Sequence, residues 1–189
     1  MADEPETGST RITPLNASVA DADITDPMFV CLMLDRLRKA GAEQEIEDLL
    51  ARDPAGHADL TWPGNVACLL IDLRKVGAHE QAAVLLARDP ARHVDISDPG
   101  ATAFLLESLR GEGAGQQAAA LLARDPAGQC ELDDDDDDGG GVITLAWSLH
   151  NAGADDQVTV LLTRLSAAGQ WSLLDEIHEQ TGLPVPQKD

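Results

Sequence analysis

A chain of 189 residues is long enough for one domain with a substantial core, and 43% apolar residues is an ordinary share for a folded protein. Aromatics make up 3%, with no Tyr, so Leu, Val and Ala must fill the interior; that composition suits closely packed helices and is poor in sheet formers. With 13 basic against 34 acidic side chains the formal charge is −21, which repels nucleic acid and favours a basic partner wherever charge selects one.

Residues 1–21 are polar and acidic and are expected to form a disordered tail. They open with MADEPETGST, which has neither the basic n-region nor the apolar h-region of a secretory signal. Asp26-Pro27 then reads as N-cap and first residue of a helix. The words that follow recur along the chain. Leu49-Leu50 returns as Leu85-Leu86, Leu121-Leu122 and Leu161-Leu162, in steps of 36, 36 and 40 residues. Val30, Val66, Thr102 and Val142 share one position in this register, and Gly41, Gly77, Gly113 and Gly153 share another.

Each unit is expected to hold two helices. In the second, Val66, Leu69, Leu70 and Leu73 fall at i, i+3, i+4 and i+7, an apolar stripe of helical period. Gly77 closes that helix, because glycine takes the left-handed conformation at C′ without strain, and Gly77-Ala78 reverses the chain. The next helix is expected over about 79–88, with Ala82, Leu85 and Leu86 on one face. Arg88-Asp89-Pro90 is a stop signal: a cation in the last turn, and a Pro that drives Asp89 from helical angles. Val94-Asp95-Ile96-Ser97 then runs extended until Asp98-Pro99 starts the third unit. Trp62-Pro63 replaces Asp-Pro at the start of the second. The Asp133–Asp138 run holds the four extra residues of the last step and reads as a solvated loop, since it lacks the ligand spacing of a calcium loop. In the last unit Arg164-Leu165-Ser166 replaces Arg-Asp-Pro, and a capping helix from Trp171 to about Gln180 is expected to bury Trp171, Leu174 and Ile177 before Gly182.

One such hairpin cannot bury its apolar faces, whereas several stacked side by side can. The fold expected is therefore all-α: a right-handed α-solenoid of four hairpins of about 36 residues, over 22–183, with a C-terminal capping helix. Its units span about 26–61, 62–97, 98–137 and 138–166, the capping helix 170–181, and a tail 184–189. The pattern resembles solenoids of the HEAT, armadillo and tetratricopeptide kind, although the Trp, Gly and Tyr signature of the last is absent. VAxLLxxLRxxGAxxQAAxLLARDPAxHV, as it stands from Val66 to Val94, is similar to a tandem motif of proteins from high-GC bacteria. That resemblance covers about 22–166 and implies contact with another protein, with no catalytic residues to carry over.

The residues point the same way. Leu32, Cys68 and Phe104 share a position roughly opposite the main stripe, so the first helices are either packed on two sides or line an apolar concave surface. Trp147 stands where other units have Asp35, Ile71 and Glu107; it is an exposed contact anchor or it packs under the C-terminal helix. Trp62, at a cap position, raises the same question. These five are the candidate partner-binding residues. Cys31, Cys68 and Cys130 form no Cys-x-x-Cys pair and read as small core residues, not as zinc ligands or a disulfide framework. His57 and His93 are equivalent and sit on separate linkers, where surface or hydrogen-bonding roles are expected and a metal site is not. Arg52, Arg88, Arg124 and Arg164 are expected to pair with Asp or with helix-end carbonyls of adjacent units. No nucleophile elbow, Ser-His-Asp set or phosphate loop occurs, so no enzyme, metal or cofactor is expected. No run approaches the ~18 apolar residues of a membrane span. A cytoplasmic protein that binds another protein, basic in one reading and masked by this acidic chain, completes the expectation. An incomplete N-terminal unit is expected to leave an apolar end for self-association.

Overall fold

The computed structural model describes residues 18–132 and 139–186. The expectations for 1–17, for the Asp133–Asp138 run and for 187–189 lie outside the described residues. Among the described residues the chain is all-helical, without a strand. A 3-10 turn, Val19–Asp21, precedes α1 (Pro27–Ala40), α2 (Glu43–Leu50), α3 (Pro54–His57), α4 (Pro63–Lys75), α5 (His79–Ala87) and α6 (Pro90–His93). Then follow α7 (Pro99–Gly111), α8 (Gly115–Leu122), α9 (Pro126–Gln129), α10 (Gly140–Asn151), α11 (Asp155–Ala168) and α12 (Trp171–Thr181).

The first helices start and stop where their residues demand. The Asp26 carboxylate accepts from the N–H groups of Met28 and Phe29, and that of Asp98 from Ala101, so each satisfies donors that the first helical turn leaves unpaired. Trp62 holds the same position without a side-chain cap. At the other end Gly41, Gly77, Gly113 and Gly153 all take positive φ, between 67° and 77°. The next N–H then reaches back five residues to a carbonyl: Ala42 to Leu37, Ala78 to Leu73, Ala114 to Leu109 and Ala154 to Leu149, at 2.8–3.0 Å.

The Arg-Asp-Pro words do more than stop a helix. Asp53, Asp89 and Asp125 sit at φ 55–56°, in the left-handed region, and the following Pro opens a one-turn helix, α3, α6 or α9. Each unit with this word thus has a third, short helix, which corrects the two-helix expectation. The turn is closed by Ala58, Val94 and Cys130 N–H donating to the carbonyl of the Pro four residues earlier. The Asp53 and Asp125 carboxylates accept from Gly56 and Gly128 N–H at 3.1 Å. A Cβ on either glycine would stand 2.1 Å from that carboxylate. Where the second unit has Arg92 instead, the Asp89 carboxylate leaves the cap and pairs with Arg92 Nε at 2.6 Å. In the fourth unit no Asp-Pro occurs, and α11 runs on to Ala168.

The first helices pack in series: α1 on α4, α4 on α7, α7 on α10, and α10 on α12, which takes the place beside α10 that a further first helix would have. Val30, Leu34, Leu69, Leu73, Leu105, Leu109, Leu145 and Leu149 are fully buried between this layer and the second helices. Leu174 and Ile177 of α12 join the core, with Trp171 partly buried against it. Each short helix packs on the second helix of the next unit: α3 on α5, α6 on α8, α9 on α11.

Polar side chains tie these layers together across units. Arg52 donates to Val19 O, Arg88 to Ala55 O and Arg124 to Ala91 O, each 33 residues back. Arg164 reaches Ala127 O, 37 residues back, because the last step is longer. Arg88, Arg124 and Arg164 therefore bind carbonyls of the one-turn helix in the preceding unit, and Arg52 a carbonyl of the 3-10 turn before the first unit. Gln81 and Gln117 accept from the N–H groups of Ala55 and Ala91, while Gln117 and Gln157 donate to the carbonyls of Leu86 and Leu122. Glu45 holds this position in the first unit and is exposed. Connector backbones also join in register, with Asp59, Asp95 and Glu131 N–H donating to Thr25, Thr61 and Ser97 carbonyls at 2.7–2.8 Å.

One core position is mismatched. Thr102 is fully buried and its hydroxyl has no partner, where Val30, Val66 and Val142 fill the same place. Thr102→Val removes an unsatisfied polar atom at constant shape. It is expected to stabilise the protein by about 1 kcal/mol and raise Tm by about 2–4 °C in a calorimetric scan. A Tm equal to or below that of the parent would show that the hydroxyl is satisfied in solution.

Candidate functional site

The residues singled out in the sequence lie on two surfaces. Leu32 on α1, Phe104 on α7 and Trp147 on α10 are 49%, 40% and 44% exposed, while their helical neighbours at the main stripe are buried. Leu32, Cys68 and Phe104 occupy equivalent places on helices packed in series, so they form a row across the first-helix layer. Trp147 extends it one helical turn on, beside the place of Thr144. Trp147 is half-exposed on α10, the helix on which α12 packs. Met28, one turn before Leu32 and likewise exposed, belongs to the same face and went unread, because its equivalents are Gly64, Gly100 and Gly140.

Cys68 departs from the core reading of the cysteines. Cys31 and Cys130 are buried, but Cys68 is only half-buried. It faces Cys31 across the α1–α4 seam, and burial raises both thiols above the ordinary cysteine range. Raised thiols are poor nucleophiles at neutral pH.

Charge is distributed unevenly around the row. The acids of the first helices are paired within their own helix: Asp35 with Arg38 and Lys39, Asp72 with Lys75, Glu107 with Arg110. Lys39 and Arg38 donors hold Asp35 below its ordinary pKa, and Asp72 raises Lys75. The connectors carry acids of another kind. Asp23 and Asp59 accept from the hydroxyl and N–H of Thr25 and Thr61, and Asp95 from Ser97, which lowers all three carboxyls. These three acids edge the stack just before the first helices α1, α4 and α7.

Trp62, 58% exposed, stands on this connector edge and not in the apolar row. With Thr25, Asp26, Pro27, Asp59 and Asn65 it bounds a hollow of about 290 Å³. A wider hollow of about 600 Å³ beyond Asp59 is lined by Ala58, Leu60, Thr61, Arg88 and His93. His57 is exposed, with Nδ1 2.9 Å from Asp53 O, in the hydrogen-bonding role expected of it. Among the described residues no three His, Cys, Asp or Glu are grouped to hold a metal. No helix among them is long and apolar enough to cross a membrane. No protein-family model, curated protein or solved structure matches the chain.

Proposed function

We propose that this chain is a non-catalytic protein-binding module, an α-solenoid of four hairpins that receives a partner on the surface of α1, α4, α7 and α10. The serial packing of these helices supports the solenoid reading, since each lends its neighbour the apolar contacts that one hairpin lacks. The observation that carries the binding reading is the row Leu32, Phe104 and Trp147: large apolar side chains left in water on one layer of a chain whose other leucines are mostly buried. Their flanking acids are already paired, so the row offers apolar anchors in a charge-balanced rim.

A second reading, an acidic protein that masks a basic partner, draws on the connector edge with Asp23, Asp59 and Asp95. Recovery of bound proteins from extract of the source cells, at low and at high salt, separates the two. Phe104→Ser and Trp147→Ser are expected to abolish recovery of a specific partner at both ionic strengths while leaving the helical circular dichroism unchanged. Recovery unaffected by these variants but lost in high salt would transfer the function to the acidic edge.

A further inference from the structure

We propose that the hollow bounded by Thr25, Asp26, Pro27, Asp59, Trp62 and Asn65 seats the guanidinium of an arginine presented by a protein partner. Trp62 occupies an N-cap position at which Asp26 and Asp98 both make cap hydrogen bonds. The indole makes none, and it stands 58% exposed. The chain thus forgoes a local hydrogen bond and exposes its largest side chain at one connector alone of those described. Trp62 shares the lining of the hollow with two aspartates from successive connectors, Asp26 and Asp59. The fold's own bonds fall on Oδ1 of each: Met28 and Phe29 N–H on Asp26, Thr61 N–H and hydroxyl on Asp59. Oδ2 of each takes no donor among the described residues.

A tryptophan and two aspartates lining one recess of about 290 Å³ match the needs of a guanidinium: a weakly hydrated plane that stacks on a π-system while its edges donate to acceptors. An ammonium is more strongly hydrated and presents no plane. Asn65 and Thr25 also line the hollow. Arg88, the cation nearest Asp59, is committed to Ala55 O and lines the neighbouring hollow. The net charge of −21 steers a cation toward the edge without choosing among its acids; Trp62 makes the choice. This inference deepens the protein-binding reading and rests on it only for the source of the arginine.

The test is titration of the intact ¹⁵N-labelled protein with a capped tetra-arginine peptide, following the three indole N–H resonances. Tetra-lysine and tetra-citrulline peptides serve as comparisons. Saturable movement of the Trp62 resonance is expected, with tetra-lysine weaker by about threefold or more and tetra-citrulline without effect. Trp62→Asp restores the cap and adds an acid, so the fold is not in question and bulk attraction increases. Binding is nonetheless expected to weaken about tenfold. Asp59→Asn, which keeps the turn acceptor, is expected to weaken it several-fold, and Phe104→Ser to leave it unchanged. Tighter binding by Trp62→Asp, or equal binding of the lysine peptide, would overturn the assignment. A failed titration alongside partner recovery that depends on Phe104 would remove the arginine seat and leave the protein-binding reading standing.

Discussion

Arg124→Met should cost about 3 kcal/mol of stability, roughly twice the cost of Arg88→Met. Arg124 Nη1 donates to the carbonyls of Ala91 and Val94, both at 2.8 Å, whereas Arg88 has one such bond, to Ala55 O. Methionine keeps the apolar stem that packs between units, so the loss isolates the hydrogen bonds. A hydrogen bond from a charged group to a carbonyl contributes about 1.5 kcal/mol at the low end of its range, and these partly buried acceptors lie at the end of a one-turn helix that has few other bonds to hold it. Arg124→Lys should recover about half of the loss, because an ammonium on a flexible stem reaches one carbonyl more readily than two. Urea unfolding monitored by circular dichroism measures all three. If Arg124→Met costs no more than an ordinary surface substitution, about 0.5 kcal/mol, the arginine column does not join the units.

That column shows how much of the molecule could be read from its residues. The helix ends were legible because each is local: Asp26-Pro27 caps its own first turn, and Gly77 needs only its own φ. The Arg positions were legible as far as a choice between Asp and helix-end carbonyls of adjacent units, because a dipole argument favours carbonyl acceptors without fixing which ones the packed connectors present. The one-turn helices were not. Four residues carry no period, and Asp53, Asp89 and Asp125 are in a conformation that glycine usually marks. Gly56 and Gly128 were the available signal, yet Arg92 stands in their place in the middle unit, which hides the pattern. The Gln81, Gln117 and Gln157 column also went unread. A recurring polar residue on an outer helix has no evident acceptor until the preceding unit is folded against it. In the candidate site, Leu32 and Phe104 were legible from their place off the main stripe. Trp62 stands out in the sequence with Asp59 three residues before it, but only the packed connectors bring Asp26 to its side.

Leu106→Ala should be among the most damaging core truncations, at about 4 kcal/mol. Leu106 is fully buried on α7, and α7 packs on α4 before it and α10 behind it. The cavity left by alanine is therefore walled by three first helices held from both sides, which limits the collapse that would soften the loss. Leu34 is equally buried and occupies the equivalent place on α1, but α1 has α4 as its one neighbour in the first-helix layer. Relaxation at that end should hold Leu34→Ala to about 2–3 kcal/mol. The two variants should also differ in how they unfold. In a linear array, coupling passes only between adjacent units, so weakening the third unit uncouples the halves on either side. The urea transition of Leu106→Ala should broaden, with a lower apparent m-value, whereas Leu34→Ala should shift the midpoint at unchanged slope. Equal costs and parallel transitions would mean that the helices share one undivided core, and the stacked-unit basis of the binding surface would have to be given up.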